Sequence, residues 1–401
     1  MKKLVFAALL GAVCCAAGCG RPAAVAPSGE HYQFAEEMFR KVWELYRVPG
    51  HGLFSEYYPN SYRPDVNYFE DGAKNAQEVS FLWPMDGVFT SAVALAGIEP
   101  GKYGCYVDSM AMAVEQYYDD ARVPAGYQAY PVKMGKVDRY YDDNGLVGLA
   151  YITAYGVTRN PAYLEKAKQV MTFILSGWRP DHDGGVSWLE GVANQKPGCS
   201  NGKAMMLALE LYGATKDPYY LTTGRRFYDW IDAYLHDPEL DIVWNSWLTQ
   251  PGARLDKAVY SYNTGLLLQG AVALYRYTGD TAYLDNARRL AEGARRFYLQ
   301  ETQAGQPANR DLPWFYLVLF RGYHDLYNLD GDSKYVDIFI RWMDWARENA
   351  RDRAGLFYND WSGNSDEANT PKWLLDESCI PEFFVRAAMI RGEVPSARPA
   401  Q

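Results

Sequence analysis

The most regular feature of the chain is a pattern of apolar and polar residues that recurs four times. In each copy a helical segment ends near a tyrosine, a short polar turn follows, and a second helical segment opens on an aromatic residue. The copies begin at Tyr155, Tyr212, Tyr275 and Tyr327. Apolar residues after the turns recur at intervals of three and four, which indicates one buried face of an α-helix. The pattern therefore predicts a repeated helical hairpin.

The turns also carry residues that start helices. A side-chain oxygen at the end of each turn can accept the free amide protons of the helix that follows. The predicted N-cap residues are Asn160, Asp217, Asp280 and Asp332. Successive caps lie 52 to 63 residues apart, so one repeat holds two helices and a loop.

Similar spacing outside the four copies completes the architecture. Further helices are predicted at 32–46, 84–96, 103–118 and 375–389, for a total of about twelve helices in six pairs. Two helical layers closed into a ring bury both faces of such pairs, so we predict an all-α fold, an (α/α)6 toroid. An open helical solenoid is the alternative. We place this domain at residues 30–392, followed by a flexible tail at 393–401.

The connections between the predicted helices alternate in length. The long connections are 47–83, 119–141, 177–199, 235–261, 299–312 and 350–374. Long loops on a rigid scaffold often carry function. We therefore expect the site at the end of the ring where these loops enter the inner helices, which we call the mouth. The inner helices are predicted to begin near Trp83, Asp142, Ser200, Tyr262, Pro313 and Asp376.

The first residues resemble a secretory signal. Lys2 and Lys3 form a basic head, an apolar run follows, and small residues lead to Cys19. The apolar run is shorter than the roughly 20 residues that span a bilayer. Residues 16–19 resemble a bacterial lipobox, in which the cysteine is lipidated; an ordinary cleaved signal is the alternative. We predict a signal peptide at 1–18, a tether at 19–29, and a lipoprotein anchored to a bacterial membrane at the cell surface or in the periplasm.

Composition narrows the class of ligand. A net charge of −9 and the absence of basic runs exclude a nucleic-acid partner. The 33 tyrosines and 12 tryptophans suit sugars, because aromatic faces pack against the C–H faces of sugar rings. The five histidines are scattered and only three cysteines follow Cys19, so we expect no metal site. We expect a monomer that binds a polysaccharide or oligosaccharide and contacts the membrane only through its lipid.

A pair of adjacent carboxylates is the strongest candidate for chemistry. Retaining glycoside hydrolases use two carboxyl groups about 5–5.5 Å apart, and adjacent residues at a helix start can reach that separation. Asp142 and Asp143 stand at such a start, although they would equally serve to cap the helix. A second doublet, Asp119 and Asp120, repeats the same four letters but falls at the end of a helix. We therefore interpret the second doublet as solvated surface.

Longer motifs around the first doublet resemble a known family. The stretch from Tyr140 to Ala150 looks like the catalytic segment of glycoside hydrolase family 76, the endo-α-1,6-mannanases. Similar motifs follow the family's order at 83–85, 184–188, 200–202 and 261–265. The resemblance spans about residues 35 to 390 and implies the (α/α)6 fold. It also implies that Asp142 is the nucleophile and Asp143 the acid/base, with net retention and no cofactor.

The same motifs and the mouth supply candidate substrate contacts. These are Trp83, Asp86, Tyr141, Asn144, Trp188, Asn201, Tyr262, Asn263 and Trp314. Each has a structural alternative: the aromatic residues could pack in the core, Asn201 and Asn263 could cap helices, and Asp86 could serve the helix dipole.

Two departures from the family leave the substrate open. Leu146 and Val147 stand where the family has tryptophan, and 195–199 lacks the usual Lys-Asn run. We therefore keep as alternatives a hydrolase of another α-linked neutral glycan and a non-catalytic, glycan-binding surface lipoprotein. Lyases and hydrolases of acidic sugars on the same ring would need basic residues at the mouth, which the predicted helix starts almost lack. Endo or exo action is not determined by the sequence.

Overall fold

The computed structural model describes residues 27–62, 78–249, 252, 254–303, 305–308, 311–362 and 370–395. The predicted signal peptide, the lipidation site Cys19 and most of the predicted tether lie outside the described residues. The described part of the chain contains no helix that is both long enough and apolar enough to cross a membrane.

Within the described residues, twelve α-helices form two layers. The inner helices are α2 (Leu82–Ile98), α4 (Tyr141–Thr158), α6 (Gly198–Thr215), α8 (Ser261–Thr278), α10 (Pro313–Asp330) and α12 (Leu374–Ile390). The outer helices are α1 (Glu30–Tyr46), α3 (Pro100–Val114), α5 (Pro161–Ser176), α7 (Pro218–Tyr234), α9 (Thr281–Tyr298) and α11 (Lys334–Asn349). Each inner helix contacts the inner helices on both sides, and α12 contacts α2. The ring is closed, which confirms the predicted all-α toroid and excludes the open solenoid.

The two layers differ in how their helices are buried. On α6 every residue from Gly198 to Leu209 is buried, because the inner ring is covered on both sides. On α9 the buried residues form a single stripe that includes Ala287, Leu290, Ala291 and Ala294. The spacing of three and four in the sequence thus marks the inward face of an outer helix.

The repeated turn joins each inner helix to the next outer helix by one hydrogen-bond pattern. Side-chain oxygens of Asn160, Asp217 and Asp280 accept the amide protons of Ala162, Tyr219 and Ala282 at 3.0–3.1 Å. The predicted caps are confirmed at these three turns. In the fourth turn the cap position is Ser333, one residue later than predicted, although Asp332 still accepts from the Lys334 amide at 3.0 Å.

The backbone carbonyl of the repeated tyrosine accepts a hydrogen bond in the same turns. The residue before each predicted cap is left-handed, and its N–H donates to the carbonyl of the repeated tyrosine. These pairs are Arg159 and Tyr155, Lys216 and Tyr212, Gly279 and Tyr275, and Gly331 and Tyr327. The left-handed residue closes the inner helix by satisfying a free carbonyl of its last turn.

Short strands occur in the long connections that lead into the inner helices. They are β1 (Arg47–Val48), β2 (Leu53–Phe54), β3 (Tyr57–Tyr58), β4 (Tyr118–Asp119), β5 (Gly126–Tyr127), β6 (Gln195–Pro197), β7 (His236–Asp237), β8 (Ile242–Leu248), β9 (Arg254–Val259) and β10 (Lys372–Trp373). In the largest sheet β8 pairs antiparallel with β6, β7 and β9. The strands satisfy backbone groups of loops that lie against the ring, and most are too short to show alternation in the sequence.

Candidate active site

The mouth is formed as predicted by the first turns of the inner helices. Asp142 and Asp143 are the second and third residues of α4. The second doublet does not reach the mouth, but our interpretation of it as solvated surface is wrong for Asp119. That side chain is 6% exposed, forms an ion pair with Arg122 and accepts the Ala121 amide proton, whereas Asp120 is exposed.

Two side chains of α6 contact the Asp142 carboxylate. The Cys199 thiol donates to Asp142 Oδ2 at 3.4 Å, and the Lys203 Nζ lies 3.9 Å from the same oxygen. Lys203 is 4% exposed, so this ion pair is largely shielded from water. Its ammonium also lies 5.5 Å from the centre of the Trp314 ring. Asp142 is therefore held beside a buried positive charge.

The neighbouring carboxyl has the opposite environment. Burial of Asp143 raises its pKa well above the usual range, and the negative charge of Asp142 raises it further. Lys203 lowers the pKa of Asp143, whereas Asp86 of α2 raises it. Burial and the charge of Asp142 therefore favour the protonated form of Asp143. Two adjacent carboxyls in such unequal environments suit a nucleophile and an acid.

Asp86 is a third carboxyl at this place. It is 2% exposed, and burial raises its pKa to about 7 despite the positive charges of Arg321 and Lys203. Its Oδ1 has no hydrogen-bond partner in the described part of the protein. The structure thus brings the predicted residue Asp86 into the electrostatic environment of Asp143.

Aromatic rings form one wall of the mouth. Trp83 lies edge-on to Trp314 at 5.5 Å and to Trp373 at 5.4 Å, and it stacks on Phe315 at 6.1 Å. The Tyr262 ring contacts Phe315 at 4.4 Å. Burial raises the pKa of the Tyr262 hydroxyl, as do the nearby Cys199 and Asp142. The wall therefore extends from α2 through α10 and α8 to the carboxylate pair.

Several polar atoms at the mouth are buried without a partner. Among the described residues, nothing hydrogen-bonds Trp83 Nε1, Asp142 Oδ1, or either side-chain polar atom of Asn263. A buried polar group without a partner is costly, and ligands commonly supply the missing bond. These donors and acceptors, beside aromatic faces, match the hydroxyl groups of a neutral sugar.

Asn144 and Asn201, which we predicted as substrate contacts, have side chains that are buried and bonded to backbone groups of the loops. Both are 0% exposed and occupy the fourth position of an inner helix. The Asn144 amide pairs with the backbone N–H and carbonyl of Tyr127, each at 2.7 Å, and donates to the Tyr140 carbonyl. The Asn201 amide pairs in the same way with Val186 and Pro197. Each asparagine therefore fixes a mouth loop to a helix start.

Tyr141 also faces away from the mouth. It is 4% exposed, and its ring stacks on Phe173 of α5 at 5.1 Å, so it packs between the layers. Trp188 lies at the rim instead: it is 37% exposed, and its ring contacts Tyr140 at 4.8 Å. Its carbonyl accepts the Tyr141 amide proton at 2.9 Å, which ties the rim to the start of α4.

The architecture and the site can be compared with known proteins. A sequence model of glycosyl hydrolase family 76 matches residues 52–311, well over half of the chain. The chain belongs to glycosyl hydrolase family 76. The family that the motifs predicted is thereby confirmed, and the protein is a member of a family of glycoside hydrolases.

Individual relatives of this family 76 protein are distant. Mannan endo-1,6-α-mannosidase DCW1 of Candida albicans is 26% identical over 211 residues, 45% of this chain and 46% of the relative. The chain spans about half the length of the curated relatives it matches. A solved family 76 glycoside hydrolase (mannosidase) from Bacteroides thetaiotaomicron superposes with a TM-score of 0.81 at 25% identity, covering 90% of this chain and 99% of that one.

A third relative was solved with a ligand. It is an inactive variant of the α-1,6-mannanase of Salegentibacter, with two consecutive aspartates changed to asparagine, in complex with α-1,6-mannotriose. It superposes with a TM-score of 0.73 at 21% identity, covering 90% of this chain and all of that one. At this identity the likeness shows the fold alone.

The two departures from the family motifs fall in different places. Leu146 and Val147 are 4% and 0% exposed and lie in the core of the ring. Of the segment 195–199, only Cys199 is seen to contact the carboxylate pair. A substitution at 146 or 147 therefore changes packing, whereas Cys199 changes the surroundings of Asp142.

Lys203 and Cys199 were not among the predicted site residues. The Ser-Asn-Gly motif could have indicated both, because Cys199 and Lys203 flank it and residues four apart lie on the same face of a helix. Among the described residues, no three histidine, cysteine or acidic side chains gather as metal ligands.

Proposed function

We propose that the protein is a retaining glycoside hydrolase that cleaves α-1,6-mannosidic linkages in mannan, with Asp142 as nucleophile and Asp143 as acid/base. The observation that carries this proposal is the unequal pair of adjacent carboxyls at the mouth. Asp142 lies 3.9 Å from a buried ammonium, whereas burial and Asp142 raise the pKa of Asp143.

The reaction follows from these two environments. The charged Asp142 carboxylate attacks the anomeric carbon, and the bond from that carbon to the leaving oxygen breaks. The proton of Asp143 moves to the leaving oxygen, so the first sugar chain departs as a neutral alcohol. The ionised Asp143 then takes a proton from water, which displaces Asp142 from the anomeric carbon and gives net retention.

A neutral hexose chain fits the rest of the mouth. Trp83 and Tyr262 offer aromatic faces beside the buried Trp314, and Asn263 offers a donor and an acceptor that no other described residue pairs. Asp86 adds a further acceptor. Relatives of this chain are named as α-1,6-mannosidases, and one binds α-1,6-mannotriose, which supports mannan as the substrate.

The proposal is tested by reducing-sugar release from linear α-1,6-mannan. We expect Asp142→Asn and Asp143→Asn each to lower turnover by at least about 100-fold, the scale of a lost acid or nucleophile. Asp120→Asn is the matched control, because it makes the same substitution at an exposed position in the other Tyr-Tyr-Asp-Asp stretch, at 117–120. Full activity in either dyad variant would contradict the assigned roles.

Two further outcomes separate the alternatives. Proton NMR during the first turnovers should show the α-anomer of the new reducing end, and an initial β-anomer would contradict retention. Binding of α-1,6-mannan without turnover, unchanged in both variants, would establish a glycan-binding protein instead.

We also propose that lipid on Cys19 anchors the protein to a bacterial membrane. The basic head, apolar run and lipobox-like residues 16–19 support this proposal. In an expressing bacterium, Cys19→Ala should move the protein from the membrane fraction to the soluble fraction and abolish labelling by an alkyne fatty acid. Membrane retention of the unlabelled variant would contradict the proposal.

A further inference from the structure

The carboxylate pair lies between charges of opposite sign. Helix α4 has α2 on one side and α6 on the other in the inner ring. Asp86 projects from α2, and Lys203 projects from α6. Both are at least 96% buried, so water screens their charges weakly.

The approach of Lys203 is a consequence of helix packing. A Cβ at Gly145 of α4 would lie 2.8 Å from Lys203 Cβ, which only the absence of a side chain allows. The stem of Lys203 therefore runs directly against α4. From there its ammonium reaches 3.9 Å from Asp142 Oδ2 and 5.5 Å from the Trp314 ring centre.

The charge on Asp86 is not cancelled by its own surroundings. Arg321, followed by Lys203, lowers the pKa of Asp86, but the Arg321 guanidinium makes a bidentate pair with Glu382 at 2.6 and 2.7 Å. Glu382 also accepts from Arg386 at 2.8 Å. Asp86 Oδ1 has no hydrogen-bond partner in the described residues.

We propose that Lys203 and Asp86 are positioning residues that set the protonation of the acid Asp143 in opposite directions. This inference rests on the proposed roles of Asp142 and Asp143. Lys203 favours the ionised form of Asp143 while holding Asp142 in place, and Asp86 favours the protonated form. The balance between them sets the highest pH at which Asp143 still carries the proton that the leaving oxygen needs.

Other titratable groups at the pair do not supply this balance. On α6 the Cys199 thiol contacts Asp142, and burial raises the pKa of Cys199, so the thiol stays neutral. On α8 the pKa of Tyr262 is raised by burial, so its hydroxyl also stays neutral. The outer helix α5 faces α4 through the Tyr141 and Phe173 rings. In the part of the chain that the structure describes, Lys203 and Asp86 are thus the charges that act on Asp143 besides Asp142.

The signs follow from electrostatics. Burial raises the pKa of Asp86 to about 7 and that of Asp143 well above its usual range. Removing the negative charge of Asp86 makes ionisation of Asp143 easier. Removing the positive charge of Lys203 makes it harder.

The experiment measures the titration of the pair in the full mature chain. Proteins labelled with carbon-13 at aspartate carboxyls are titrated by NMR, with signals assigned through Asp142→Asn and Asp143→Asn. Lys203→Met keeps the linear stem, and we expect it to move the upper titration step to higher pH by about one unit, a tenfold change in proton affinity. Asp86→Asn should move the same step to lower pH.

Controls separate charge from fold. Lys203→Arg restores the charge and should return the step towards that of the parent, while Lys102→Met on α3 removes a lysine far from the mouth and should change nothing. If Lys203→Met does not fold, Asp86→Asn decides alone. An unmoved step, or shifts of the same sign in Lys203→Met and Asp86→Asn, would overturn the inference.

The titration requires no substrate, so failure of this inference can be distinguished from failure of the proposed function. If the parent protein releases sugar from linear α-1,6-mannan, the pH at which kcat/KM falls on the alkaline side should move, in each variant, in the same direction as the NMR titration step. If the parent releases none, the proposed function fails, while opposite carboxyl shifts still support the charge balance.

Discussion

At the scale of single residues, two asparagines of the family motifs attach loops to helix starts. Asn144 and Asn201 each bond both backbone groups of a loop residue and the carbonyl four residues earlier. In α8 the equivalent position is Thr264, whose hydroxyl accepts the Val243 amide proton at 3.0 Å. Three inner helices thus fix their preceding loops from the same position.

Asn201→Ala should destabilise the protein by about 2–4 kcal/mol, because it leaves buried backbone groups of Val186 and Pro197 unpaired. Urea unfolding followed by circular dichroism measures this free energy. Asn328→Ala, at an exposed position on α10, is the control and should lie within about 0.5 kcal/mol of the parent. Equal midpoints for the two variants would show that Asn201 does not hold the loop.

At the scale of helices, close approach depends on glycine near the mouth. A Cβ at Gly145 would lie 2.8 Å from Lys203, and one at Gly202 would lie 2.8 Å from Leu266. Near the mouth, the backbone of α4 therefore packs directly against a side chain of α6, and the backbone of α6 packs against a side chain of α8. The first of these contacts brings Lys203 to the carboxylates at the start of α4.

Gly145→Ala should cost about 1–3 kcal/mol, because the added methyl group overpacks the α4–α6 contact and displaces Lys203. Gly156→Ala is a matched control in the same helix. Nothing lies within 4 Å of its Cβ position, and alanine there should stabilise the helix by up to about 1 kcal/mol. Thermal unfolding of both variants should give shifts of opposite sign, and a stabilised Gly145→Ala protein would contradict the close contact.

At the scale of the whole molecule, the ring is closed by contacts between the two ends of the domain. Helix α1 packs on α12, and the His31 imidazole lies between Glu393 at 2.6 Å and Asp344 at 3.1 Å. The Glu393 carboxylate also accepts the amide protons of His31 and Tyr32 at the start of α1. Glu393, which we placed in the flexible tail, instead caps the first helix.

This contact predicts a stability that depends on pH. The hydrogen bond to Asp344, followed by that to Glu393, raises the pKa of His31. The charged contact therefore contributes fully below the unfolded pKa of about 6.5 and is lost as pH rises through the higher folded pKa. The unfolding free energy of the parent should exceed that of His31→Gln by about 1 kcal/mol at pH 5.5, with a smaller difference at pH 9. A difference that does not change with pH would exclude a role for the His31 charge.

Much of the candidate site was predictable because its signals are local. The doublet Asp142-Asp143 and the aromatic residues Trp83, Trp314 and Tyr262 sit at helix starts that the cap and loop pattern marks along the chain. The direction in which a side chain at a helix start points cannot be predicted from such local signals. Tyr141 points to the outer layer and Asn144 to a loop, although both adjoin the doublet.

The helical hairpins, three of their four caps and the polarity of the ring were predictable from the sequence, as was the position of Asp142 and Asp143 at an inner helix start, because each depends on residues a few positions apart. What surrounds these two aspartates depends on how the helices pack. Lys203 and Cys199 come from α6 and Asp86 comes from α2. The charges of Lys203 and Asp86 affect the pKa of Asp143, whereas the neutral Cys199 thiol contacts Asp142. Such contacts cannot be predicted from the spacing of residues along the chain, because they form only once the inner ring has closed.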